Sequence, residues 1–227
     1  LLLGVLTLAL AGAALIEASV AAGPNVAAVP AAVAAIDSAH GAVAVMVSPS
    51  DRISEAIVAV EDGSFYSNNG VDTPALIRAG LGFLTGSDAG GSTIEVQLAH
   101  LAFAAPTSGV WGRVHRVTLA VQMDTHFTKP AILSMYLDAA YFGHGFYGIA
   151  AAGRGYFGVD ASQLSWAQAA LLAGLVQAPS ALDPVDHPAA SLARRGYVLQ
   201  RLADLGFISH PQAHALAQTP LGVRTPA

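Results

Sequence analysis

Four short stretches carry side chains able to do chemistry. In VAVEDGSFYSNNGVD an apolar run ends at Glu61 and Asp62, then enters a loop holding Phe65 and Gly70. A carboxylate ending an apolar helix is partly desolvated, so its pKa tends upward and it can accept a proton near neutral pH. Glu61 is the better placed of the two, and a solvated helix-end acid is the plain alternative. It is one of four glutamates, with Glu17, Glu55 and Glu95. In GGSTIEVQLAHL, Gly90 and Gly91 free the backbone and Ser92 or Thr93 can cap the helix that follows. Amide donors at that end suit an anion such as a phosphate, and simple capping accounts for the same residues. Gln97 falls about one turn in, on the side of Thr93.

The third stretch, GRVHRV, holds Arg113, His115 and Arg116, whose arginine forks suit diphosphate oxygens or form a basic helix face at a membrane surface. The fourth, YLDAAYFGHGFYGIAAAGRGYFG, interleaves aromatics with six glycines, among them Gly143, Gly145 and Gly148, a composition built for close backbone approach. His144 within it reads as structural rather than as a catalytic base. None of the eight histidines shows paired metal-ligand spacing, so no protein-built metal site is expected.

The elements that must position these groups are helical. Apolar residues recur at spacings of three and four in ISEAIVAV, TPALIRAGLGFL, STIEVQLAHLAF and RVHRVTLAVQM. The pattern continues in KPAILSMYLDAAYF, SWAQAALLAGLV and AASLARRGYVLQRLADLGF, with Ser165 and Ser191 as candidate caps. Residues 23–52 mix Ala, Val, Gly and Pro without clear period and read as a linker, with one short strand at Ala42 to Val47. Leu1 to Ala22 is almost wholly apolar or small, fitting a membrane anchor slightly better than a cleaved signal segment. The domain organisation expected is 1–22 anchor or signal, 23–52 linker and 53–222 one mostly α domain.

Bulk composition narrows the function classes. Of 227 residues, 54% are hydrophobic and 11% charged, against about a quarter charged in ordinary soluble domains, which suggests membrane contact. The net charge of -5, with Lys129 the only lysine, leaves no basic stripe for nucleic acid. Zero cysteines excludes thiol nucleophiles and disulfides. The S-x-x-K acylation motif of transpeptidases is excluded too, because Lys129 has His126 three residues before it.

Taken in order, the stretches resemble glycosyltransferase family 51, the peptidoglycan transglycosylases. The first motif, E-D-x-x-F-x-x-H-x-G, is matched by Glu61, Asp62, Phe65 and Gly70, with Asn68 in the histidine's place and Asp72 following. The second, G-x-S-T-I-x-Q-Q, is matched by Gly90, Ser92, Thr93, Ile94 and Gln97, with Val96 replacing the first glutamine. Gly143, Gly145, Gly148, Tyr156, Phe157 and Gly158 match a fourth region, and LLAGLVQAPSALDP a fifth. The third motif, R-K-x-x-E, fails: Gly112 and Arg113 stand at the basic pair and Arg116 at the glutamate, while a one-residue slip brings in Val117. Ser134, Gln168 and Ala150 also stand where family members commonly carry glutamate, and Asp138 where asparagine is typical.

The resemblance implies a lysozyme-like helical transglycosylase domain after an N-terminal membrane or signal segment. Its implied activity is polymerisation of lipid II into β-1,4 glycan strands, with Glu61 as general base and release of undecaprenyl diphosphate. Asp62, Phe65, Ser92, Thr93, Gln97, Arg113 and Arg116 are the implied substrate contacts, and Gly70, Gly90, Gly143, Gly145 and Gly148 the structural positions. The implied partners are lipid II, the growing glycan strand, the bacterial membrane and separate transpeptidases. Magnesium is a candidate at the substrate diphosphate. The implied location is the outer face of the bacterial cytoplasmic membrane, on a single-pass anchor. Two alternatives stay open: a relative lacking turnover that binds lipid II or wall-synthesis partners, motivated by Arg116, and a lysozyme-like hydrolase using one partly buried glutamate with an aspartate nearby.

Overall fold

The computed structural model describes residues 25–48, 50–71, 92–103 and 110–224. The expected anchor, the helix over TPALIRAGLGFL, Gly90 and Asp72 lie outside the described residues. Nine α-helices make up the regular structure among the described residues: α1 Val29–His40, α2 Arg52–Glu61, α3 Ile94–Ala102, α4 Val110–His126, α5 Lys129–Ala139, α6 Ile149–Phe157, α7 Trp166–Leu175, α8 Pro188–Asp204 and α9 His210–Ala217. Two short 3-10 turns, Val26–Ala28 and Ala161–Gln163, accompany them. The mostly helical expectation therefore holds. Among the described residues, no helix is long and apolar enough to cross a membrane.

Local signals account for where the helices begin. Ser165 caps α7 in a box with Gln168, each side chain bonded to the other's backbone N–H. Thr93 caps α3 by accepting from the Val96 N–H, and Ser209 caps α9. Prolines sit in the first turns of α1, α5, α8 and α9, where a missing N–H is harmless. Ser191 is not a cap: α8 starts at Pro188, and the buried Ser191 hydroxyl donates to the Leu182 carbonyl.

The stretch expected as a linker holds a helix instead. Val26, Val29 and Val33 are buried in the core, spaced by three and four. Alanine-rich surroundings hide that spacing, and Pro30, which reads as a breaker, sits in the first turn of α1. The short strand expected at Ala42 to Val47 is also absent. The Val45 and Val47 N–H groups donate instead to side chains of α5, Asp138 Oδ1 at 3.0 Å and Ser134 Oγ at 3.1 Å. Helix α5 ends at Ala139, short of Phe142, where the chain leaves helical geometry and Tyr141 bridges Tyr147.

The helices pack as two groups. Helix α7 is apolar nearly all round, with Ala169 to Ala173 and Leu175 buried, and α2 and α8 pack on it while α9 packs on α8. The second group places α3 against α4 and α5, with α1 lying on α3 and α5. The end of α2 and the start of α3 bring the groups together.

Candidate functional site

An open cleft of about 260 Å³ lies at that junction, lined by Val60, Glu61, Ser92, Gln97, Gln177, Arg194 and Tyr197. Glu61 is the last residue of α2, and its side chain is 13% exposed. Its Oε2 accepts from Gln97 Nε2 at 2.9 Å. Its Oε1 lies 3.9 Å from Arg194 Nη2, too far for a hydrogen bond, so a lone pair stays available to a hydroxyl in the cleft.

Gln97 is oriented from behind. The Tyr136 hydroxyl, on a fully buried ring of α5, donates to Gln97 Oε1 at 2.7 Å. Burial, with the Glu61 charge adding to it, pushes the Tyr136 phenol well above its ordinary pKa, so the group stays a donor. The amide oxygen must then face Tyr136, and its N–H₂ must face Glu61. A donor is thus held permanently against the carboxylate.

Asp62, one residue on, does something else. It is the C-cap of α2 and turns away, its Oδ1 accepting from the Ser64 N–H and hydroxyl. Its Oδ2 accepts from Asn68 Nδ2 at 3.0 Å and from the Ile94 N–H at 3.4 Å, tying the loop to the start of α3. Asn68 in turn accepts from Lys129 Nζ at 2.9 Å, and the same ammonium meets Glu95 at 2.6 Å and Asp124 at 2.8 Å. Burial raises the Glu95 pKa, and the Lys129 hydrogen bond works against that shift.

The structure brings Glu61, Ser92 and Gln97 together and, among the described residues, leaves the other sequence-derived ones off the lining. Phe65 is fully buried beneath Lys129, and Thr93 is buried with its hydroxyl donating to the Gly70 carbonyl at 2.8 Å. Gly70 has positive φ, and a Cβ there would run into the Ala120 carbonyl of α4. Gly143, Gly145 and Gly148 also have positive φ, in the turn between α5 and α6. Arg113 is exposed and Arg116 half-buried on α4. Neither forms an ion pair among the described residues, and the cation that faces Glu61 is Arg194. Sequence reading missed Tyr136, Gln177, Arg194 and Tyr197. Arg194 carried a signal only in being a basic residue on the apolar-faced stretch of α8.

The Transglycosylase family model matches residues 31–203. A protein of Cupriavidus necator that bears the name transglycosylase is 37% identical over 174 residues, 76% of this chain and 75% of that one. Penicillin-binding protein 1A of Pseudomonas aeruginosa is 35% identical over 78% of this chain. Penicillin-binding protein 1F of Bacillus subtilis is 35% identical over 76% of it. The match spans only 22% and 24% of those two proteins' lengths.

Proposed function

Because the chain belongs to the transglycosylase family, we propose that it is a peptidoglycan glycosyltransferase that polymerises lipid II in cell-wall synthesis, with a lysozyme-like domain. One observation carries this reading: Glu61 faces the cleft with one oxygen held by an oriented amide donor and the other open. In the proposed reaction Glu61 takes the proton from the 4-hydroxyl of the acceptor sugar. That oxygen attacks the donor's anomeric carbon with inversion, and undecaprenyl diphosphate leaves with the bonding electron pair. Arg194, 3.9 Å from the Glu61 carboxylate, supplies positive charge on the acceptor side of the cleft. Ser92, just before the start of α3, offers a further polar contact at the same wall. Glu61 is the one carboxylate on the lining among the described residues. Leu1 to Ala22 would hold the domain at the outer face of the cytoplasmic membrane.

A second reading, a relative that binds lipid II without turnover, is favoured by that same solitary acid and by Arg116 at the usual glutamate position. Labelled lipid II given to the purified full chain separates the two. Glycan polymer that disappears in Glu61→Gln supports the enzyme; tight binding with no polymer supports the binder, and polymer formed equally by the variant removes Glu61 from the base role.

A further inference from the structure

We propose that His144, Asp183 and Asp186 form a binding site for one divalent transition ion of the zinc type, joining the α5–α6 turn to the α7–α8 loop. One donor atom from each residue can be chosen so that all three lie within 4.8 Å of one another. His144 Nδ1 and Asp183 Oδ2 are 3.3 Å apart. That is within reach of a weak hydrogen bond, and it is also the separation of two ligands each placed ~2.0 to 2.1 Å from a tetrahedral ion.

Asp183 supplies an independent observation. It is 4% exposed, and its Oδ1 is occupied by the Val185 N–H at 2.9 Å. Its Oδ2 has no partner outside the cluster among the described residues. Neither Asp183 nor Asp186 pairs with an arginine or lysine among the described residues, and the partner of the buried Asp183 Oδ2 in the cluster is the His144 imidazole. Burial without a counter-charge is unfavourable, and a cation resolves it.

The backbone holds the imidazole in place. His144 has φ 50, the one non-glycine residue with positive φ among the described residues. Gly143 before it is wedged in, since a Cβ there would lie 3.0 Å from the Pro179 carbonyl oxygen and 3.1 Å from the Tyr156 hydroxyl. Asp186 is exposed and leaves the site open to solvent. One imidazole and two carboxylates select a borderline ion such as Zn²⁺ over Mg²⁺, with remaining positions for water. Because Gln177 on the same loop lines the proposed catalytic cleft, the ion would staple one cleft wall to the α5–α6 turn.

The test reads stability and binding, independently of glycosyl transfer. Full-length chain stripped with a chelator is titrated with Zn²⁺ or Mg²⁺ at pH 7.5. Zinc at 100 times its Kd is expected to raise Tm by about 5 to 10 °C, with magnesium inert at the same concentration. Calorimetry should show one ion per chain. Asp186→Asn changes an exposed group and should keep the metal-free Tm; His144→Gly suits the positive φ but removes the imidazole beside Asp183, so its zinc shift is read against its own metal-free Tm. In each, zinc binding should weaken at least tenfold. No zinc shift in the native chain, or an undiminished one in both variants, would overturn the site.

Discussion

The Glu61 carboxylate opens on the cleft with one amide donor and an arginine 3.9 Å away, whereas Asp62, the next residue, is 7% exposed and shares its two oxygens among four protein donors. The helix end produces this contrast. Glu61 still has helical geometry and projects with α2, while Asp62 at φ -154 and ψ 83 swings into the following loop. Adjacent acids in one motif thus divide between the cleft and the scaffold behind it. The scaffold extends through Asn68, Lys129 and Glu95 to α3 and α5, the helices that carry Gln97 and Tyr136.

Substitutions can break the two halves separately. Glu61→Gln, the largest effect, should lower lipid II polymerisation by about 10² to 10⁴ while Tm stays within a degree or so. Asp62→Ala should do the reverse in kind: removing the shared acceptor strands the buried Ile94 N–H and loosens the loop. A loss of about 2 to 3 kcal/mol is expected, read as a Tm fall of about 4 to 12 °C. A normal melting curve for that variant would return Asp62 to the cleft.

Tyr136→Phe probes the link between the halves. Without the hydroxyl, the Gln97 amide is free to turn its oxygen toward Glu61, and polymerisation should fall about tenfold with a Tm loss of about 2 to 4 °C. An unchanged turnover number in steady-state assays would reduce the tyrosine to packing.

The smallest effect lies away from the cleft. Burial pushes the Asp138 carboxyl up to about 6, opposed by the Val45 N–H and reinforced by Asp37. A pKa raised in the folded state means that stability is highest below the unfolded value and declines as pH rises through about 4 to 6. Asp138→Asn removes the charge and keeps an acceptor for Val45, so Tm should rise by a few degrees at pH 7.5 and by less at pH 4.5. Equal effects at both pH values would show that the charge is immaterial.

Most of the helices were legible because caps and apolar spacing act within a few residues. Helix α1 was not, since its core valines sit among alanines that are themselves apolar. The pair Arg194 and Arg195 shows another boundary of what local pattern reveals. The two are identical in type and one helical step apart, yet Arg194 reaches Glu61. Arg195 is 1% exposed and donates to the Ala217, Thr219 and Pro220 carbonyls, closing off the end of α9. The step of about 100° around α8 sends them to opposite surroundings, and only the packing of neighbouring helices says what those are.

From sequence alone come the helical class, the ordered motifs, and an acid at the end of α2, because each depends on residue type and short spacing. The tertiary structure decided that Gln97, fixed by Tyr136, is the donor on that acid, that Arg194 rather than an α4 arginine faces it, and that His144 meets Asp183. Those partners stand 36 to 133 residues from Glu61, or 39 from each other in the last case, and no periodicity reaches so far. Side-chain geometry across such separations follows from how the two helix groups close on one another, which is a property of the packed core.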